Sequence, residues 1–314
     1  MRWSRGRLAV DKDGQYFIGA LYQNELVRLT DDFFIEAVPD RAPTVRILRP
    51  GRDSRAHPIE EVTVQMEAED DFGIRAFDLR YSVNGGPEKT VPWNSGARKQ
   101  ASGAHTFPLE DLSMVPGDIV SYYGVARDAR AEAKTDMFFV EVQPFEREFR
   151  QAQEMGGGGG GGGGEDEAGQ IPRRQKEILS AAWNQARERN PDKQKSAEHA
   201  KTLSSIQNKL RDQSRTLADR MKRRQLAGVN NEFKAFVENM EKAADAMGPT
   251  AAKLAEQKWQ EALAPGQKSL QHLLRAESIF REIQVAFGRQ GGGGGGGSSG
   301  RDLAEMFELE LDTE

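Results

Sequence analysis

A serine set among glycines gives this 314-residue chain a formal match to a catalytic motif. The segment Gly296-Gly297-Ser298-Ser299-Gly300 has the Gly-x-Ser-x-Gly spacing of a nucleophile elbow. That chemistry needs a strand before the serine, a helix behind it and a histidine base nearby in space. A glycine tract precedes this serine instead, so we interpret the match as coincidence. The tract is not a phosphate loop either, because it does not end in Gly-Lys-Ser/Thr.

The histidines are the next candidates for proton transfer or metal binding. They are His57, His105, His199 and His272, and no two of them have the spacing of a metal site. The chain has no cysteine, which excludes a disulfide framework and a thiolate metal site. We therefore interpret all four as surface or hydrogen-bonded residues, and the sequence predicts no catalytic residue, no metal and no cofactor.

Acidic residues cluster in the first half of the chain and raise the question of calcium, which prefers six to eight oxygen ligands. The candidates are Glu67, Glu69, Asp70, Asp71, Asp128 and Asp136. Aspartates next to glycine are also the usual residues of solvated turns, which need no ion. We favour the turn interpretation, and calcium stays open as the alternative.

The densest basic run lies in the second half of the chain and comprises Arg215, Arg220, Lys222, Arg223 and Arg224. A solvated helical face explains such a run, and contact with an anionic surface or an acidic segment is the alternative. Residues 171–290 hold 23 basic and 14 acidic residues, a balance of +9 in a chain whose net charge is −5. The five residues are therefore the predicted contact for an anionic partner.

Two runs of glycine, at 156–164 and 291–297, divide the chain into unlike parts. Glycine tracts carry no side chain to bury and behave as flexible tethers. We predict a multidomain β + α protein in which an Ig-like antiparallel β-sandwich precedes an all-α helical bundle or coiled coil, joined by polyglycine linkers. The predicted boundaries are 1–40 (the last strands of a truncated Ig-like domain), 41–145 (the sandwich), 146–170 (linker), 171–290 (the helices), 291–300 (a Gly/Ser linker) and 301–314 (an acidic amphipathic tail).

The β prediction depends on alternation and turns. Val62, Val64, Met66 and Ala68 alternate with polar residues, which is the period of a strand with one buried face. About seven such runs separated by turns over roughly a hundred residues are typical of the immunoglobulin-like sandwich. Residues 1–40 supply about three strands, too few to close a sandwich, which favours a chain cut from a longer protein.

The α prediction depends on helical spacing. Leu203, Ile206, Leu210, Leu217 and Met221 fit a heptad pattern with one position filled by polar residues. Two proline dipeptides, Gly248-Pro249 and Pro265-Gly266, are expected to end helices, so we predict five helices with short connections.

With these features in place, the chain resembles a family of large bacterial envelope proteins designated domain of unknown function 4175. The matching stretches are 41–45, 68–74, and 262–265 through 271–277. The resemblance implies upstream membrane helices, Ig-like repeats and a C-terminal coiled coil, and it implies no catalytic residue, because the family has no established active site.

These observations predict a non-enzymatic structural or protein-interaction component of the cell envelope, on the periplasmic side of the inner membrane in the full-length protein. The expected partners are other envelope proteins or further copies joined through the helices. No small-molecule substrate is expected, and membrane contact is expected only through an upstream anchor. One alternative is a binder of anionic polymer, nucleic acid or lipid through the basic helical segment. A second is the substrate-recognition part of a larger hydrolase.

Overall fold

The computed structural model describes residues 10–144, 170–223 and 231–290, with side chains in the last helix described as far as Ile283. In these residues a β-rich region precedes four helices, so the predicted order of β then α is confirmed. The chain divides into two compact units, residues 1–42 and residues 43–314. Both glycine tracts, and the segment that contains Ser298, lie outside the described residues.

The first unit is a long β-hairpin. Its strands are β1 (Gly14–Tyr16), β2 (Gly19–Tyr22), β3 (Glu25–Arg28) and β4 (Phe33–Ile35), with β1 paired to β4 and β2 paired to β3. The two-residue turn is Gln23-Asn24, whose φ angles of 49° and 68° match the type I′ turn that suits the twist of a hairpin. Residues 1–9, where the first predicted strand begins, lie outside the described part.

The second unit opens with two sheets. Its strands are β5 (Thr44–Arg49), β6 (Ser54–Ala56), β7 (Glu61–Glu69), β8 (Ala76–Val83), β9 (Lys89–Trp93), β10 (Gln100–Pro108), β11 (Ile119–Arg127), β12 (Glu132–Lys134) and β13 (Phe138–Val142). One sheet has the order β10-β7-β5, and the other has the order β6-β13-β11-β8-β9 with β12 beside β11. The pairing is antiparallel except between β13 and β6, which is parallel.

The two sheets share one hydrophobic core. The alternating side chains of β7 that the sequence assigns to the buried face, Val64, Met66 and Ala68, lie in it with Phe107 from the neighbouring strand β10 and Tyr122 from β11 of the other sheet. Alternation therefore identifies the inner face of β7 correctly, because side chains of a strand point in turn to opposite faces.

Four helices follow: α1 (Gln170–Arg187), α2 (Lys193–Arg223), α3 (Asn231–Ala255) and α4 (Trp259–Gln290). The expected breaks at the two prolines are wrong, since α3 continues through Pro249 and α4 through Pro265. A proline costs a helix about 3 kcal/mol. Buried residues on both sides of each proline, such as Met247 and Leu254 in α3, outweigh that cost. The break lies instead at Gln257, whose φ is 57°. No helix in the described residues is long and apolar enough to cross a membrane.

The helices cover the outer face of the larger sheet. Every residue of β11 except Arg127 is buried: Val120 and Tyr122 point to the core between the sheets, while Ile119 and Tyr123 point to a second core formed with the helices. The β region and the helices therefore share a core, a contact that the sequence did not predict, and the predicted domain limits stay a prediction.

The predicted heptad positions of α2 face this second core. Leu210, Leu217 and Met221 are buried in it and Leu203 packs against it, whereas Ile206 is 41% exposed. The buried apolar positions of α2 are therefore occupied within the chain, by the neighbouring helices α1 and α3.

Candidate functional site at the interface between sheet and helices

A cluster of buried polar contacts joins the larger sheet to α4. Asp118, just before β11, is buried, and its Oδ1 accepts hydrogen bonds from Arg275 Nε (3.0 Å), Arg275 Nη2 (2.7 Å) and Gln271 Nε2 (3.0 Å). Its Oδ2 accepts a fourth hydrogen bond from the backbone N–H of Val115 (3.0 Å). A buried carboxylate needs this number of donors to offset the loss of water.

A glycine allows this contact to form. Gly117 has a φ of +90°, and a Cβ atom added to it would lie 2.5 Å from Arg275 Cα. Gly85, in the turn between β8 and β9, approaches the same helix in the same way, because its Cβ would lie 2.5 Å from the carbonyl oxygen of Ala264. Two turns of the β region therefore touch the backbone of α4 directly, which side chains larger than hydrogen would prevent.

A second ion pair joins the sheet to α1. Lys176 Nζ contacts the buried carboxylate of Glu141 on β13 and lies 3.5 Å from Asp53 Oδ2. Burial alone would lower the pKa of Lys176, but the two carboxylates outweigh it and raise that pKa above its ordinary value. Lys176 is therefore held in its charged form at the interface.

An aromatic contact lies beside these ion pairs. The indole of Trp183 on α1 is buried with its ring centroid 4.3 Å from that of Tyr123, and its Nε1–H donates to the carbonyl oxygen of Thr135 (2.9 Å). The ammonium of Lys134 lies 5.9 Å from the centre of the Trp183 ring. Both the apolar body and the polar edge of the tryptophan are thus used to hold α1 on the sheet.

Within the helices two buried amides bind each other. Gln207 Nε2 donates to Gln175 Oε1 (2.8 Å), and Gln175 Nε2 donates both to Gln207 Oε1 (3.2 Å) and to the carbonyl oxygen of Gly266 (3.3 Å). Gly266 directly follows Pro265 in the sequence. This network fixes α1 and α2 against α4 at the residue after Pro265, which has no N–H to donate within the helix.

Two titratable groups near this interface have shifted pKa values. Burial and the nearby Arg275 lower the pKa of His272 to about 4, and its Nδ1 lies 3.2 Å from Asn239 Oδ1. Burial raises the pKa of Glu277, although Arg281 partly opposes that effect. Shifted pKa values can mark reactive groups, but here each group already has a protein partner.

The basic residues predicted to contact an anionic partner lie along α2, apart from this interface. Arg215 Nη2 lies 3.3 Å from Asp245 Oδ1, and Lys222 forms an ion pair with Glu241, both acidic partners being on α3. Arg223 ends the helix and is exposed. Arg220 also lies on α2, and Arg224 lies outside the described residues. The structure thus places two of the five cations beside carboxylates of the neighbouring helix.

Five of the six carboxylates considered for calcium bind named groups of the chain, and the sixth, Asp71, lies with Asp40 and Asp70 in a group whose oxygens are within 4.8 Å of one another. Asp70 Oδ2 accepts the backbone N–H of Phe72 (2.9 Å), and Asp128 Oδ1 accepts the N–H groups of Arg130 and Ala131 (2.5 Å each). The remaining pairs are Glu67 with Arg46, Glu69 with Gln100, and Asp136 with Arg187. The turn interpretation describes what Asp70 and Asp128 do, because an aspartate that accepts the N–H two residues ahead closes an Asx turn.

The histidines differ in surroundings. His105 stacks on Tyr81 with ring centroids 5.9 Å apart, and burial lowers its pKa. His57 Nδ1 lies 3.2 Å from the carbonyl oxygen of Gln143, and His199 is an exposed residue of α2. The four histidines are therefore not brought together in the fold.

An open cleft of about 920 Å³ lies between β12 and the C-terminal end of α1. Its cations point to protein oxygens: Arg187 pairs with Asp136, Arg189 donates to the carbonyl oxygen of Glu132, and Lys134 Nζ lies 3.3 Å from Glu132 Oε1. The cleft walls are therefore held by contacts within the chain.

Neither Asp118 nor its ion pair with α4 was predicted from the sequence. The available signal was β11, where Ile119, Val120, Tyr122, Tyr123 and Val125 form a nearly continuous apolar run. Such a run is typical of a strand that is buried on both faces, and it implied a second layer over the sheet.

No protein-family model matches this chain, and no curated protein matches it. Among solved structures, one described as a crystal structure of a Br derivative of BhCBM56 is 14% identical, covers 34% of this chain and 96% of its own, and has a TM-score of 0.19. A second, described as pT26-6p, is 8% identical, covers 94% of this chain and 66% of its own, and has a TM-score of 0.20.

Proposed function

We propose that this chain is a non-enzymatic structural and protein-interaction component of the bacterial cell envelope. The proposal rests on what the polar side chains at the interface between the larger sheet and the helices bind. Asp118, Arg275, Glu141, Lys176 and Trp183 bind one another or the backbone across the interface. Groups that are engaged in this way hold two layers together, which is the requirement of a rigid spacer or scaffold.

The strand order supports the narrower proposal of an Ig-like sandwich. The order β10-β7-β5 in one sheet and β6-β13-β11-β8-β9 in the other is a Greek-key arrangement of two packed antiparallel sheets, as in that class. The parallel pairing of β6 with β13 lets the first part of the sandwich change sheets. In this proposal the helical region is a covering layer that occupies one sheet face of the sandwich.

Cell fractionation tests the envelope location. An antibody raised against residues 170–290 should detect the full-length gene product with the envelope fraction of a bacterium that encodes it. Detection only with the cytosolic marker would refute the proposal. Chemical cross-linking in intact cells, followed by mass spectrometry of the captured chain, should then return envelope proteins as its neighbours.

Binding of an anionic polymer through α2 is the weaker candidate. Arg215 and Lys222 would have to exchange the carboxylates of Asp245 and Glu241 for phosphates, and the pKa of Lys222 is raised by its hydrogen bond with Glu241. Binding to phosphates releases counterions and weakens steeply as salt increases. We therefore expect fluorescence anisotropy with labelled single-stranded DNA to show no tight, salt-sensitive binding, and the opposite result would favour the polymer binder.

A further inference from the structure

The hairpin of the first unit exposes an unusual amount of apolar surface. Ten large hydrophobic side chains between β1 and β4 are exposed by 40% or more: Tyr16, Phe17, Ile18, Leu21, Tyr22, Leu26, Val27, Leu29, Phe33 and Phe34. At about 200 Å² for a large side chain, these fractions amount to on the order of 1,000 Å². The largest apolar patch of a monomer is typically about 300–600 Å².

Both faces of the hairpin take part. Leu26 and Val27 are consecutive residues of β3, and Phe33 and Phe34 are consecutive residues of β4, and all four are exposed. Consecutive residues of a strand point to opposite faces. A two-stranded hairpin is only marginally stable by itself, so this surface is suited to being covered by another polypeptide.

The two strands of the hairpin differ in how well their outer edges are protected. Residues 14–24, which form β1, β2 and the turn, contain no charged residue and no proline. The returning strand carries Arg28, Asp31 and Asp32, and Arg28 forms an ion pair with Asp32. Charges and prolines on an edge strand prevent pairing with other chains. The edge formed by β1 and β2 lacks that protection.

We propose that the edge formed by β1 and β2 pairs with the same edge of a second copy of this chain. Two hairpins joined in this way form a four-stranded sheet about a twofold axis, in which each copy presents the same surface to the other. A second copy fits the absence of charge along residues 14–24, because identical charged strands would repel each other. The exposed area also fits, since a stable dimer buries about 800 Å² on each partner.

The proposed dimer rests on the interaction role proposed above, and it identifies a second copy of the chain as one partner in that role. Its test is made on the purified chain and is independent of cell fractionation, so that either result can fail alone. Sedimentation velocity of the full chain should show a monomer–dimer equilibrium at micromolar concentration. A species that stays monomeric at 100-fold higher concentration would overturn the proposal, as would a monomer that instead sediments with vesicles of anionic phospholipid.

Substitution locates the contact. Leu21→Lys places a charge on the unprotected edge strand at a side chain that is 77% exposed, and it should weaken dimerisation at least tenfold. Ile59→Lys changes a side chain in the second unit that is 62% exposed, and it should leave the dimer unchanged. Because both side chains are exposed, neither change should unfold the chain, which the far-ultraviolet circular dichroism spectrum checks. Equal effects of the two substitutions would overturn the proposal.

Disulfide cross-linking tests how the two edge strands pair in the proposed dimer. The chain contains no cysteine of its own, so each disulfide has to join introduced cysteines. Single cysteines are introduced by Tyr16→Cys, Ile18→Cys, Ala20→Cys and Tyr22→Cys, and in the returning strand by Leu29→Cys. Opposite side chains of paired strands have Cβ atoms about 5 Å apart, within reach of a disulfide. Antiparallel pairing about a twofold axis predicts that cross-linking peaks near one position of residues 16–22 and is weak at Leu29→Cys. A peak at Leu29→Cys, or no peak in any variant, would contradict the pairing.

Discussion

Arg275 and Asp118 are 157 positions apart in the sequence, yet two guanidinium nitrogens of Arg275 bind a single oxygen of Asp118 at 3.0 and 2.7 Å. The carboxylate directly precedes β11, the central strand of the larger sheet, and the guanidinium lies on α4. Their contact, with that of Lys176 and Glu141 nearby, makes the orientation of helices on the sheet specific. Apolar packing alone would allow several orientations, because it has no direction.

The ion pair should contribute measurably to stability. We expect Arg275→Met to lower the free energy of unfolding by about 2–3 kcal/mol, because it leaves a buried carboxylate without its charged partner while the apolar stem is kept. Urea denaturation followed by circular dichroism measures the change. The control is Arg173→Met, which breaks an exposed pair with Glu177 on α1 and should cost less than about 0.5 kcal/mol. Similar losses in the two variants would show that the interface pair is not special.

The close approach of Gly117 to α4 provides a second test. Gly117→Ala places a methyl group 2.5 Å from Arg275 Cα at a φ of +90°, so either the turn or the helix has to move. We expect a loss of more than about 2 kcal/mol and a lower melting temperature. Gly248→Ala is the matched control, since nothing lies within 4 Å of the added methyl group in α3 and alanine favours a helix by up to about 1 kcal/mol. The proposed contact would be wrong if Gly117→Ala were as stable as Gly248→Ala.

The shared core predicts that the two parts of the second unit bind each other without a covalent connection. Residues 43–145 and residues 170–290, produced as separate polypeptides and mixed, should form a one-to-one complex, because the sheet face with Ile119 and Tyr123 and the buried face of the helices are each apolar when apart. Size-exclusion chromatography with light scattering measures the mass. Ile119→Asp should abolish the complex, whereas Leu48→Asp, on β5 of the other sheet at a side chain that is 48% exposed, should not. Two polypeptides that elute separately would contradict a common core.

Local patterns predicted the elements well because the responsible forces act between near neighbours. Val64 and Met66, which alternation assigns to the inner face of a strand, are buried on β7, and Leu210 and Met221, two of the predicted heptad positions, are buried on α2. The prolines misled the prediction, because a propensity of about 3 kcal/mol is smaller than the burial energy of several large side chains. The sequence alone did not show how many large side chains on both sides of each proline would be buried.

The packing of helices on the sheet was missed for a different reason. A glycine tract predicts a flexible connection, but that prediction does not decide whether the connected parts bind each other, since the entropy of closing a loop increases only slowly with its length. The partner of Asp118 was equally hidden, because any of the basic residues in 171–290 fits its charge. The run of apolar residues in β11 contained the missing information, since a strand that is buried on both faces needs a layer on each side.

Acid should destabilise the chain through His272. Asn239 Nδ2 donates to the carbonyl oxygen of Ala235 at 2.8 Å, so Asn239 Oδ1 faces His272 as an acceptor and Nδ1 carries the hydrogen. The charged groups that act on this histidine are Arg275, Lys242 and Lys268, which disfavour its protonation, and Asp118, which favours it. Burial is the largest cause and, together with the three cations, it lowers the pKa of His272 from 6.5 to about 4 in the folded chain, with Asp118 opposing part of the shift.

Between these two pH values the unfolded chain binds the additional proton, so stability is complete above about pH 6.5, decreases as the pH falls and levels off below about pH 4. We expect this histidine to account for about 1–2 kcal/mol of the loss, allowing for its partial exposure. Urea denaturation at pH 7, 6, 5 and 4 should therefore give a steeper decline for the unmodified chain than for His272→Gln, which has no titrating group at this position. Parallel curves for the two proteins would assign the acid sensitivity to other residues.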